Sequence, residues 1–146
     1  MEKSCMDVFM SIKPEHMNNI VSLTKNHEYR SYLLPSDVQR IWFYTTKPIQ
    51  RIEYVVYISR GKVPGQVPED GGIGNAEFNA GMKNSNYAYE ILKIWKLEQP
   101  VDLEQAIKFG FFKGPPQKYT WVSEGVLMAF PLFRQPVLFD SPNQRQ

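Results

Sequence analysis

Cysteine is almost missing from this chain. Cys5 stands alone among 146 residues, so no disulfide can form within it. Histidine is nearly as scarce, and His16, His27 and one cysteine cannot furnish a Cys/His zinc site. No metal or other cofactor is therefore expected. As a nucleophile, Cys5 would have only those two histidines as base partners, and neither sits in a recognisable context. A near-terminal thiol of an intracellular protein is the simpler reading. An excess of one charge is lacking as well: 17 basic against 15 acidic residues leave a net +2, with no acidic or basic tail. No apolar run reaches the ~18 residues of a transmembrane helix, and no hydrophobic leader follows Met1-Glu2-Lys3-Ser4. The expectation is a soluble intracellular protein, cytoplasmic or nuclear, with no membrane partner.

Familiar catalytic motifs are also wanting. There is no Walker loop, no G-x-S-x-G, no H-E-x-x-H and no EF-hand loop. Gly71-Gly72-Ile73-Gly74 is glycine-rich, but it does not follow a strand in a βαβ unit, so it reads as a mobile turn rather than a phosphate cradle. Repeats and low-complexity tracts are absent.

What is present is one domain's worth of alternating and amphipathic segments. Residues 6–12 alternate, with Met6, Val8, Met10 and Ile12 on one face and Asp7, Phe9 and Ser11 opposite, which predicts a strand. Pro14 suits the first turn of a helix over 14–24, whose buried face would carry Met17, Ile20, Val21 and Thr24. Glu28 to Leu34 reads as extended. The run Ile41-Trp42-Phe43-Tyr44 suits a buried strand, and 51–59 alternates through Ile52, Tyr54, Val56 and Ile58. A turn-rich loop from Gly61 leads to a short helical segment around Phe78, then to a long strand from Tyr87 to Leu97. Asp102-Leu-Glu-Gln105 has the form of a capping box, opening a helix that should end at Gly110. A last strand is expected over Tyr119 to Val122, followed by a tail that is apolar through Phe139 and then polar. This order predicts an α+β fold with a small, curled, mixed or antiparallel barrel-like sheet and two or three short helices.

Candidate chemistry concentrates at the end of the first helix. Lys25, Glu28 and Arg30 place a carboxylate beside an ammonium and a guanidinium, and in a strand Glu28 and Arg30 point to the same side. Such a group can orient a polar ligand, or it can be a solvated ion pair. A second cluster, Tyr44-Thr45-Thr46-Lys47, offers a ring, two hydroxyls and a cation at a strand end. From Lys13 to Lys62 there are eight basic residues and four acidic ones, interleaved with tyrosines and a tryptophan. Cations for phosphates and rings for bases are what single-stranded nucleic acid needs.

Taken in order, these pieces resemble the ASCH domain, a branch of the PUA-like superfamily. The resemblance runs from the strand closing in Ser11-Ile12-Lys13-Pro14 to Lys25-x-x-Glu28-x-Arg30 and Trp42-Phe-Tyr-Thr-Thr-Lys-Pro48. It continues through Tyr87-Ala-Tyr-Glu-Ile91, Pro100 with Leu103, and Pro115-Pro-Gln-Lys-Tyr119. It implies a domain over 6–122 with a 123–146 extension, and a small barrel with a cleft beside the first helix. Such domains are mostly regarded as RNA-binding, and some bacterial members hydrolyse acylated cytidine nucleosides. Two departures stand out: Thr24 replaces a frequent glycine, and Glu28 stands where the hydrolytic members place threonine.

Three functions are therefore expected to compete. The first is an RNA or modified-nucleotide binder using Lys13, Lys25, Glu28, Arg30, Tyr44, Thr45, Thr46, Lys47 and Gln117. Here Glu28 would accept from a base amino group and Tyr44 would stack. The second is a small amidohydrolase in which Lys25 is base or nucleophile and Glu28 assists proton transfer, with Glu53, Glu77 or Glu90 as further acid candidates. The third is a protein-interaction module using Phe130, Leu132 and Phe133 of the tail, against the alternative that the tail adds a strand to the barrel.

Overall fold

Alternation and aromatic content make the first strand, β1 (Lys3–Ile12), and the helix α1 (Pro14–Val21) follows at once because Pro14 sits at its first turn. Residues 2–143 and 145 are described in this structure, a computed structural model. Next come β2 (His27–Arg30), β3 (Arg40–Thr45) and β4 (Arg51–Ile58), then a long loop carrying the short helix α2 (Asn75–Asn79). The longest strand is β5 (Tyr87–Asp102). It runs straight into α3 (Leu103–Lys108), where Asp102 and Gln105 form the reciprocal capping box. The chain closes with β6 (Thr120–Ser123), α4 (Glu124–Ala129), a 3₁₀ turn at Leu132–Arg134 and β7 (Val137–Asp140).

The strands form one curled sheet in the order β2-β5-β4-β3-β1-β6, with β7 also on β5. Only the β1–β3 pairing is parallel among the named strand pairs, so the sheet is mixed, as expected, and closes into a half-barrel with four short α-helices among the described residues. The fourth, α4, arises in a tail whose apolar residues give no helical period on their own.

Both faces of the sheet are buried. Inside the curl, Val8, Met10, Ile41, Phe43, Val56 and Ile94 pack with Met17 and Ile20 of α1. On the outer face, Phe9, Trp42, Tyr44, Val55 and Trp95 pack with Ala106 of α3 and Val126 of α4. Alternation in β1 therefore does not separate a buried from an exposed face: Phe9 and Asp7, opposite the Val8 face, are fully buried, while Met6 is 39% exposed. Asp7 tolerates this because Arg40 grips it with two hydrogen bonds of 2.8 and 2.9 Å, and Trp42 Nε1 donates a third at 2.8 Å. A register shift between Ile52 and Tyr54 likewise sends Ile52 to the outer core, whereas Val56 and Ile58 stay in the inner one.

The tail joins this architecture. Val126 enters the outer core, Phe130 and Leu132 pack against it, and β7 pairs with β5. Phe133 remains 85% exposed. Among the described residues, no helix is long and apolar enough to cross a membrane.

Candidate functional site

Pro14 starts α1 directly at the end of β1, and the helix lasts only two turns. Its C-terminal carbonyls are met locally, with Asn19 O accepting from the backbone N–H of both Thr24 and Lys25 at 3.0 Å. This tight exit delivers Lys25 to the mouth of the half-barrel and starts β2 two residues later. The two-residue repeat of β2 then sends Glu28 and Arg30 to the same side as Lys25.

Glu28 is 3% exposed and fully engaged. Its Oε1 accepts from Lys25 Nζ at 3.0 Å and from the Tyr29 backbone N–H at 3.2 Å, and its Oε2 accepts from Arg30 at 2.6 Å. Burial alone would push this carboxyl up. The Arg30 guanidinium, then the Lys25 ammonium, outweigh it and hold Glu28 below the ordinary carboxylate range. Arg30 also donates to Ser11 O at 3.0 Å, which ties the ion triad to the end of β1. Burial would lower Arg30, but the Glu28 charge wins and raises it. Its Nε is buried without an acceptor, so protein groups do not saturate the guanidinium.

Above the triad lies a cleft of about 600 Å³. It is lined by Ser11, Lys13, His16 and Thr46, by Lys25 and residues 28–32, and by Lys83, Asn84 and Ser85. Burial, then the Lys25 ammonium, push His16 below its ordinary value, so it adds no charge at neutral pH. The lining thus carries four cations, Lys13, Lys25, Arg30 and Lys83, against the single carboxylate of Glu28. No cluster of three or more metal-ligating acidic, histidine or cysteine side chains occurs among the described residues.

Of the residues singled out from sequence, Lys13, Lys25, Glu28, Arg30 and Thr46 meet in this cleft. Others lie elsewhere. Tyr44 is 1% exposed and stands edge-on to Phe112 in the outer core, so no base can stack on it without unfolding that face. Thr45 is buried on the inner side, its hydroxyl unpartnered. Lys47 is exposed but outside the lining, and Gln117 borders a different hollow with Pro115 and Pro116. Glu53 pairs with Arg51 and Lys96, and Glu90 with Lys62, away from the triad.

Lys83 to Ser85 were not foreseen. They reach the cleft because Arg30 pairs with Tyr87 across β2–β5, and Asn86 staples the loop end to Arg30 O and Ser31 O, each at 3.0 Å. Only the polar run Lys-Asn-Ser-Asn before a strand could have signalled them. The glycine stretch proves structural. A Cβ at Gly72 would come within 2.7 Å of both Asn26 and Asn75, and Gly74, at φ +86°, opens α2 beneath Lys83.

The other side of β2 faces this loop. Tyr29 donates to Asn75 Oδ1, and His27 is buried between Asn26 Oδ1 at 2.7 Å and Lys62 Nζ at 3.1 Å. Burial, then the Lys62 ammonium, push His27 down to about 4, so it is neutral at pH 7, donating from Nδ1 and accepting at Nε2.

No protein-family model matches the chain, and no curated protein sequence does. Solved structures do. A serine-to-alanine mutant of ZmASCH from Zymomonas mobilis is 20% identical, with a TM-score of 0.66, over 87% of this chain and 95% of that one. A tyrosine-to-phenylalanine mutant of the same protein is also 20% identical, with a TM-score of 0.62 over 89% of this chain and 99% of that one. The crystal structure of ASCH from Zymomonas mobilis gives a TM-score of 0.62 at 20% identity, over 89% of this chain and 96% of that one. At this identity the likeness is one of fold: the chain has the fold of an ASCH domain.

Proposed function

We propose that the cleft beside α1 binds RNA or a nucleotide. The observation that carries this reading is the charge of the lining: four cations converge on one concavity whose only carboxylate is buried and already compensated by two of them. The cationic surplus is free to meet phosphate. Lys13 and Lys83 stand at the rim as phosphate contacts. Arg30, whose side chain keeps 19% of its surface exposed, takes a base edge or a phosphate oxygen. Glu28 acts as the counter-ion that fixes Lys25 and Arg30 in place, because both of its oxygens are occupied. RNA binding is also what the resemblance to ASCH domains implies.

The hydrolytic alternative has less support. A carboxyl that moves protons at neutral pH works best with a pKa near 7. Glu28 is instead held below its ordinary range, and Lys25 is bound to it with 6% of its side chain exposed.

Fluorescence anisotropy with a labelled single-stranded RNA octamer, run as a salt series, tests the reading. Lys13→Ala and Lys83→Ala should each lower the salt slope by about one and weaken all sequences alike. Arg30→Ala should cost about 1–3 kcal/mol if the guanidinium reads a base. Wild-type affinity and slope retained in all three variants would overturn the assignment.

A further inference from the structure

On the premise that the cleft is a nucleic-acid site, we propose that it continues as a stacking track over Tyr32, Tyr119 and Trp121. Its ligand is then a single-stranded RNA several nucleotides long rather than a free mononucleotide. Tyr32 belongs to the cleft lining. Its ring centroid lies 6.2 Å from that of Tyr119 with the planes tilted by 32°, and Tyr119 is 5.9 Å from Trp121 with the planes perpendicular, at 90°. All three rings are only partly buried, in contrast to the buried Trp42, Tyr44 and Tyr89. Tyr119 and Trp121 lie on the edge strand β6 and its approach, at one end of the sheet order, and Tyr32 just follows β2 at the other end, so the curl of the sheet brings the three together.

The spacing suits splayed bases. The rings stand roughly twice the ~3.4 Å per-strand rise of a stacked helix apart, so neighbouring rings can meet successive bases of an unstacked strand, which must turn between the perpendicular Tyr119 and Trp121. Aromatic platforms of this kind bind any base, because every base has a π-face. Charge follows the same line. Exposed Lys118 holds its ammonium 4.7 Å over the Tyr32 ring, while its backbone carbonyl accepts from the Tyr32 hydroxyl at 2.8 Å. That ammonium can leave the ring for a phosphate as a base takes its place.

The test compares oligouridine and oligoadenosine octamers with the corresponding monophosphates on the full chain. Trp121 is the only partly exposed tryptophan of three, so the octamers should quench its fluorescence and the monophosphates should not. Tyr119→Leu keeps apolar packing without a stacking face. It should weaken octamer binding roughly 5- to 100-fold and leave monophosphate affinity within about twofold. Lys118→Ala, at an exposed position that tolerates substitution, should lower the octamer salt slope by about one. Octamers that bind no tighter than monophosphates, or that bind both variants like wild type, would overturn the track and leave the cleft standing. A wild-type protein that binds neither probe overturns both.

Discussion

Replacing Glu28 by glutamine keeps the side chain's shape and removes one buried charge. The carboxylate is 4% exposed at the side chain, and its partners Lys25 and Arg30 are 6% and 19% exposed. Two cations would then share a site with no counter-ion, a situation that costs about 3–5 kcal/mol when one member of a buried pair is removed. For a chain of this size that is a fall in Tm of roughly 10–15 °C, readable by circular dichroism or calorimetry. The deficit should depend on pH in a defined way. The folded Glu28 carboxyl lies below its ordinary value of 4.5, so its stabilisation is complete above pH 4.5 and fades as pH falls below it through the folded value. The gap between wild type and Glu28→Gln should therefore be constant from pH 5 to 8 and narrow below about 4.5. Glu28→Gln as stable as wild type at pH 7, or a gap that widens in acid, would refute the view of Glu28 as the buried counter-ion of the cleft.

Three further outcomes are expected. Asp7→Asn should destabilise by about 3–5 kcal/mol in urea unfolding, because Arg40 loses its bidentate acceptor in a buried site. His27 has its folded pKa near 4 against 6.5 unfolded, so its stabilisation is full above 6.5 and is lost as pH falls toward 4. His27→Gln should flatten the stability profile between those values, and an unchanged profile would contradict the neutral buried imidazole. Tyr44→Phe should leave RNA affinity within twofold in the anisotropy assay (about 0.4 kcal/mol at most), since that ring lies in the outer core.

How far the sequence reaches differs from element to element. The period-2 runs, Pro14 at the start of α1 and the Asp102/Gln105 box each encode their own geometry within a few residues, so they were legible without a tertiary frame. Lys25, Glu28 and Arg30 meet for the same reason: one helix exit and one strand repeat bring them together. The second buried face was not legible. Phe9, on the same side of its strand as Asp7 and Ser11, looks outward-facing until α3 and α4, some ninety or more residues downstream, are known to cover it. Tyr44 misled for that reason, since an aromatic at a strand end looks like a stacking platform only while its face is taken to be open. Lys83 reaches the cleft through the β2–β5 pairing, a long-range register that no local pattern records.

The most direct measurement is an amide chemical-shift map of the full chain titrated with the RNA octamers. The proposed site predicts that the largest changes fall on Lys13, Lys25, Arg30 and Lys83 to Ser85, around the buried Glu28. Changes confined to the hollow of Pro48, Arg51 and Ile107, or to that of Pro115 and Gln117, with the cleft silent, would place the nucleic-acid surface elsewhere and contradict it.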